Sequence, residues 1–244
     1  MQPLHILNLQ LDIPLRRNEI GTLRGRVAEA VGFENTLFHN HRDGSADKYH
    51  YRYPLIQYKV QNGKAFLVGL AAGAQALRNL IDPTTMRFAD SMPVVGWKEE
   101  IEQVGIADRL KTYSVWQWLP LNQENYTRWL ENEDPDWRRQ ELERILVAHL
   151  LAFCEGINYT VPRPRGLHVV LESVGEPRQA NLHDTKVLSL DARFQCNLQL
   201  PNHVGIGRGA SHGFGSLVGV RASAFQRNES PSADTSDDAD TAIL

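Results

Sequence analysis

Between residues 4 and 13 the chain alternates cleanly, with Leu7, Leu9, Leu11 and Ile13 on one side and Asn8, Gln10 and Asp12 on the other. That period of two predicts a half-buried strand. A loop with Arg16 and Arg17 follows, and then Ile20, Leu23, Val27 and Ala30 recur at helical spacing, which predicts a helix over about residues 19 to 31. Gly21 and Gly25 lower the helix propensity of this segment, so close packing or a close backbone approach by another molecule is expected there. Residues 51 to 60 predict a second strand, with Pro54, Ile56, Tyr58 and Val60 on one face and Tyr53, Leu55, Gln57 and Lys59 on the other. The second face is the one expected to meet a ligand. Asn62-Gly63 tolerates the positive φ of a type I′ turn and returns the chain as a strand at 64 to 70, before an Ala-rich helix at 71 to 81.

Strand, helix, hairpin, helix is the start of a ferredoxin-like βαββαβ unit, with its closing strand expected at Lys111 to Leu119 and residues 82 to 108 irregular or holding a small insertion. The second half opens with a short helix at Asn122 to Glu131. A long helix follows, announced by Asp134 as N-cap and Pro135 at its first position, with the stripe Leu142, Ile145, Leu146, His149, Leu150 and Phe153. His149 lies on that stripe and is expected to be a satisfied interface histidine. Strands are predicted at about 167 to 174 and 185 to 199, and the chain then enters Gly205 to Gly215, five glycines in eleven residues. The expected fold is α+β, with two ferredoxin-like (RRM-like) lobes at 1–119 and 120–222 and a tail at 223–244.

Composition changes this picture at one end. The 244 residues are 42% hydrophobic and 23% charged with a net charge of -3, yet residues 228 to 244 hold Glu229, Asp234, Asp237, Asp238 and Asp240 and no Lys or Arg. Such an acidic, polar tail cannot bury enough apolar surface to order itself. Without it the body is slightly basic, and from Ala192 to Asn228 there is no acid beside Arg193, Arg208, Arg221 and Arg227. A local basic surface for nucleic acid is therefore open to this chain. No apolar run is long enough to span a bilayer and no secretory signal opens the sequence, so a cytoplasmic location is expected. Cys154 and Cys196 lack metal-ligand spacing and are expected to be buried free thiols.

The densest chemistry is His39-Asn40-His41 and the segment after it. Two histidines, three tyrosines (Tyr51, Tyr53, Tyr58) and three cations (Arg42, Arg52, Lys59) fall within one loop and one strand, beside Asp43 and Asp47. Histidine titrates near neutrality, so a pair can supply both a general base and a general acid. The glycine loop lets backbone amides approach an anion. It is no dinucleotide fingerprint, because it lies near the C-terminus without a βαβ unit around it, and no Gly-Lys-Ser or Gly-Lys-Thr makes it a Walker loop. A phosphodiester backbone met by amides, Arg208 and Ser211 fits it better. Beside cleavage of such a backbone by the histidine pair stand two rivals: a metal-dependent oxygenase with His39, His41 and Asp43 as ligands, which would need a further histidine placed by a β-barrel, and a non-catalytic RNA-holding subunit.

The glycine-rich segment Gly205 to Gly215 resembles the C-terminal signature of the repeat-associated RNA-binding (RAMP) superfamily of CRISPR systems. His39-Asn40-His41, Tyr51-Arg52-Tyr53-Pro54-Leu55-Ile56-Gln57-Tyr58, Leu23-Arg24-Gly25, Leu119-Pro120-Leu121-Asn122 and Asn125-Tyr126 are similar to one subgroup of its precursor-crRNA processing endoribonucleases. The resemblance implies two ferredoxin-like lobes, the second often degenerate, and cleavage within CRISPR repeat RNA without a metal or cofactor, leaving 5′-hydroxyl and 2′,3′-cyclic phosphate ends. It implies His39 and His41 as acid and base in either order. Tyr51 or Tyr53 would orient the nucleophile or substitute as acid, and Lys59 or Arg42 would stabilise charge. Arg24, Arg42, Arg52, Gly205, Gly207, Arg208, Gly209, Ser211, His212 and Gly213 are the implied RNA contacts. The subgroup's loop cation is expected to be lysine where this chain has Arg208. His203 and His212 are reserve catalytic candidates. The implied partners are precursor and mature crRNA, with CRISPR effector subunits and a second copy of the chain also admitted.

Overall fold

The computed structural model describes residues 1–38, 53–163, 166–182 and 185–220. In the first lobe β1 (Gln2–Pro14) leads through a 3-10 turn at Arg17–Glu19 into α1 (Ile20–Val31). The hairpin of β2 (Ile56–Gln61) and β3 (Lys64–Leu70) then precedes α2 (Ala72–Asn79). Its turn has φ of 52° at Asn62 and 72° at Gly63, as the Asn-Gly pair requires. After a short pair, β4 (Ile81–Asp82) and β5 (Arg87–Phe88), comes β6 (Met92–Trp118), 27 residues long. The antiparallel order β2-β3-β1-β6 is that of a ferredoxin-like sheet.

The second lobe continues with α3 (Gln123–Glu131), α4 (Pro135–Gly156), β7 (Val169–Val174), β8 (Arg178–Leu182), β9 (Thr185–Gln199) and β10 (Ser216–Gly219). Asn122 and Asp134 cap the two helices through their side chains, accepting from the Asn125 and Asp136 amides. Here β10 and β9 pair with β6, and β7 pairs with β9. Four strands in the order β10-β6-β9-β7 make a second ferredoxin-like sheet. The connection from β9 to β10, where that fold has its second helix, is the glycine-rich loop with one 3-10 turn at Ala210–His212.

One strand therefore serves both sheets. Residues Val94 to Val104 of β6 pair with β1, and from Gly105 onward β6 pairs with β9 and β10. Gly105 has φ 136°, and a Cβ there would stand 2.8 Å from the Tyr159 ring, whose hydroxyl accepts from the Ile106 amide. Residues 82 to 108, expected to be irregular or to hold a small insertion, contain most of the short β4–β5 pair and then the strand that closes the first lobe. Residues 105 to 118, read from sequence as part of that lobe, form the first strand of the second. Alternation on the shared strand is weak because one face carries Lys98, Glu100 and Glu102 beside a cleft, so the period of two is not an apolar one.

The first sheet packs apolar residues on both of its faces. Leu7, Leu9, Leu11, Ile56, Tyr58 and Leu67 pack under α1 and α2 with Leu23, Val27 and Leu77. On the opposite face, Leu4, Ile6, Phe66, Val68 and Leu70 join the second lobe's core of Leu146, Leu150, Phe153, Val115, Phe194 and Leu198. Cys154 and Cys196 are buried free thiols. Gly21 and Gly25 have no described atom within 4 Å of the place a Cβ would take, so packing among the described residues does not account for them. Among the described residues no helix is long and apolar enough to cross a membrane.

Candidate nucleic-acid interface

The inward face of β2, expected to meet a ligand, meets the second lobe. Tyr53 Oη donates to the Gly205 carbonyl at 2.7 Å, Gln57 Nε2 donates to Tyr53 Oη at 2.9 Å, and the Gly205 amide donates to Gln57 Oε1 at 2.7 Å. Gln57 is fully buried, so this closed set of bonds satisfies groups that water cannot reach. Burial drives the Tyr53 phenol pKa well above its ordinary value, and the ring packs edge-on against Phe153. Tyr53, a candidate for orienting the nucleophile, thus has its hydroxyl engaged in clasping the two lobes.

The glycines of the loop serve close contact more than an open cradle. Gly207, Gly209, Gly213 and Gly215 all have positive φ. A Cβ on Gly205 would approach the Phe214 carbonyl to 2.8 Å, and one on Gly207 would strike His149 and Trp118. The amides of Gly205, Ile206, His212, Gly213, Phe214 and Gly215 are already bonded inside the protein, so they are not donors waiting for phosphate. His149 accepts the Trp118 indole N–H at 3.0 Å, which is the satisfied interface role expected of it, and burial with Arg208 nearby lowers its pKa to about 4.

Cations of the first lobe gather on this loop. An Arg17 N–H donates to the Gly213 carbonyl at 2.6 Å while the guanidinium lies 5.0 Å from the Phe214 ring centre. Arg24 Nη1 is 2.6 Å from His212 Nε2. A guanidinium can only donate, so Nε2 accepts and the His212 proton sits on Nδ1. Lys59 is 5% exposed, and its amine has no hydrogen-bond partner among the described residues. Burial, with Arg17 adding repulsion, lowers its pKa to about 7. Beside it His203, at φ 63°, packs edge-on against Phe66, and burial together with Lys59 lowers its pKa. The exposed Arg208 donates to the Leu121 carbonyl at 2.8 Å, and Ser211 is buried.

His39, His41, Arg42, Tyr51 and Arg52 lie outside the described residues. The residues that flank this segment are fixed. Phe38 is 1% exposed in the first lobe's core and its carbonyl accepts from Tyr58 Oη, while Tyr53 is tied to Gly205. Of the predicted contacts the structure brings Tyr53, Lys59, Arg24, Gly205, His212 and Gly213 to one seam, while Arg208 points elsewhere on the loop. Arg17 and Gln57 also belong to that seam; the sequence placed Gln57 on the face expected to meet a ligand but gave neither residue a role. Their signal was positional only: Gln57 alternates with Tyr53 and Lys59, and Arg17 opens the loop before α1.

Two tandem ferredoxin-like lobes, the second with a glycine-rich loop in place of a helix, are the fold that the resemblance to RAMP proteins implies. The model of the Cas6b N-terminal domain matches residues 2–102 and that of the Cas6b C-terminal domain matches residues 105–220. The chain belongs to the Cas6b family of CRISPR RNA-processing endoribonucleases. The gap between the matched domains falls where β6 changes partners. A crystal structure of Cas6b shares the fold with a TM-score of 0.74 at 23% identity, and one of a CRISPR RNA processing endoribonuclease Cas6b with 0.68 at 21%; each comparison covers 90% of this chain and 100% of the other. An uncharacterized protein of Methanocaldococcus jannaschii is 32% identical over 126 residues, 50% of this chain and 82% of that protein. The oxygenase rival loses its scaffold, since the strands among the described residues form antiparallel sheets that do not close into a barrel.

Proposed function

We propose that this chain cuts CRISPR repeat RNA by attack of a ribose 2′-hydroxyl on the adjacent phosphorus, with His39 and His41 as the proton-transfer pair. One histidine takes the 2′-hydroxyl proton, the oxygen bonds to phosphorus, the bond from phosphorus to the 5′-oxygen breaks, and the other histidine protonates that leaving oxygen. The products are a 2′,3′-cyclic phosphate and a 5′-hydroxyl, and the precursor becomes guide crRNA. Tyr51 orients the nucleophile. Arg42 carries the charge that builds on the phosphorane oxygens, a task for which Lys59 is too enclosed. Arg24, Arg52, Arg208 and the exposed parts of the glycine loop hold the RNA.

The observation that carries this reading is that both residues flanking 39–52 are anchored, Phe38 in the first lobe's core and Tyr53 on Gly205 of the glycine loop, which Arg17 and Arg24 of the first lobe also contact. The test is His39→Ala and His41→Ala, singly and together, in single-turnover cleavage of repeat RNA alongside binding. Losing a general acid or base is expected to slow cleavage by about 100- to 10,000-fold with binding nearly unchanged. Parental cleavage by the double variant would remove this pair from the mechanism.

A further inference from the structure

Away from the seam, an open cleft of about 410 Å³ lies between the start of α3, the β8–β9 pair and the glycine loop, a volume in the range of small-molecule sites. Arg178, Lys186 and Arg208 line it from three separate segments, and no described carboxylate does. Arg178 is paired with Asp191. Lys186 and Arg208 have no ion-pair partner among the described residues, and Arg208 gives one N–H to Leu121, leaving other guanidinium donors for a ligand. Lys186 and Arg208, like charges converging on one cleft, repel each other, and an anion there relieves that repulsion.

The cleft also holds the surface a base would need. Tyr126 is 42% exposed, and its hydroxyl has no hydrogen-bond partner among the described residues, so a face of the ring is open beside the cations. Asn122 gives its side-chain oxygen to the Asn125 amide and keeps its N–H donors, and the exposed Gln179 makes no described side-chain bond. An amide offering donors and an amide offering both donor and acceptor can meet the edge of any base without choosing strongly among them. A free phosphate would use the cations and leave the ring idle, and bases within a duplex are already stacked and cannot reach it.

We propose that this cleft seats one unpaired nucleotide of the RNA, with its phosphate on Lys186 and Arg208 and its base against Tyr126. The inference rests on the RNA-processing reading above and deepens it. Arg208 belongs to the same loop as Gly205, which Tyr53 clasps, so one loop touches both the seam and the cleft.

The test uses the full chain with Tyr126→Ala, Tyr126→Phe and Lys186→Gln, each checked by thermal melting. Binding to a fluorescein-labelled unstructured oligoribonucleotide and to repeat RNA is measured by anisotropy over a salt series, with repeat cleavage followed in parallel. Tyr126→Ala is expected to weaken binding by about 5- to 100-fold at every salt concentration, with Tyr126→Phe restoring it. Lys186→Gln is expected to flatten the dependence of log Kd on log salt by about one unit of slope. RNA carrying 4-thiouridine should crosslink to a peptide containing Tyr126. Parental cleavage with Tyr126→Ala and Lys186→Gln both binding like the parent overturns the cleft and leaves the nuclease reading standing. A parent chain that binds neither RNA overturns both.

Discussion

Replacing Tyr53 by phenylalanine removes one oxygen atom, and the structure says what that atom does. It donates to the Gly205 carbonyl at 2.7 Å and accepts from Gln57 Nε2 at 2.9 Å, where Gln57 is fully buried and Gly205 is buried too. The substitution leaves a buried carbonyl without its donor, at a cost of about 1–3 kcal/mol. Gln57 retains a weaker bond to the Pro54 carbonyl at 3.3 Å, which limits the loss on that side. For a chain of this size each kcal/mol moves the melting midpoint by about 2–4 °C. Thermal unfolding and single-turnover cleavage, run on the same preparation, separate the clasp from a catalytic role. A clasp predicts a lower midpoint with a cleavage rate within about tenfold of the parent, whereas loss of a catalytic acid costs about 100-fold or more. An unchanged midpoint with collapsed cleavage would refute the reasoning.

Three further outcomes follow from particular side chains. The buried Lys59 amine titrates at about 7, below its ordinary 10.5. Between those values the unfolded chain holds the extra proton, so stability should rise with pH there by up to about 1.4 kcal/mol per unit. Lys59→Met should flatten that rise and stabilise the protein at pH 6, and a parent whose urea midpoint is level from pH 7 to 9 would contradict it. Gly105→Ala forces a side chain onto φ 136° and into the Tyr159 ring, and should destabilise by at least about 1–3 kcal/mol in urea unfolding. Gly21→Ala lies in an open, exposed position of α1 and should raise stability by about 1 kcal/mol. Weaker RNA binding by that stabilised variant would show that the RNA backbone approaches there.

Local patterns carried much of the fold. The alternation of Leu7, Leu9 and Leu11, the Asn62-Gly63 turn, and the Asp134-Pro135 helix start each arise from nearest-neighbour physics and appear where expected. The shared strand β6 was not legible, because its charged cleft-facing residues mask the alternation and its break at Gly105 depends on Tyr159, more than fifty residues away. The glycine loop was found, but its purpose was only half readable. Composition shows that backbone can come close, while the structure shows that what comes close is His149, Trp118 and the Gln57 side chain. Tyr53 is the same lesson at one residue: its place beside the histidines invited chemistry, and its hydroxyl is bonded to a residue 152 positions away.

The central claim is that a ribose hydroxyl, moved by histidine proton transfer, cuts the RNA. The most direct measurement is cleavage of end-labelled CRISPR-repeat RNA in excess EDTA, beside the same RNA carrying a single deoxynucleotide immediately upstream of the cut. The account predicts cleavage of the first to 2′,3′-cyclic phosphate and 5′-hydroxyl ends and survival of the second. Cutting of the deoxy-substituted RNA, or activity abolished by EDTA and restored by a divalent cation, would contradict it.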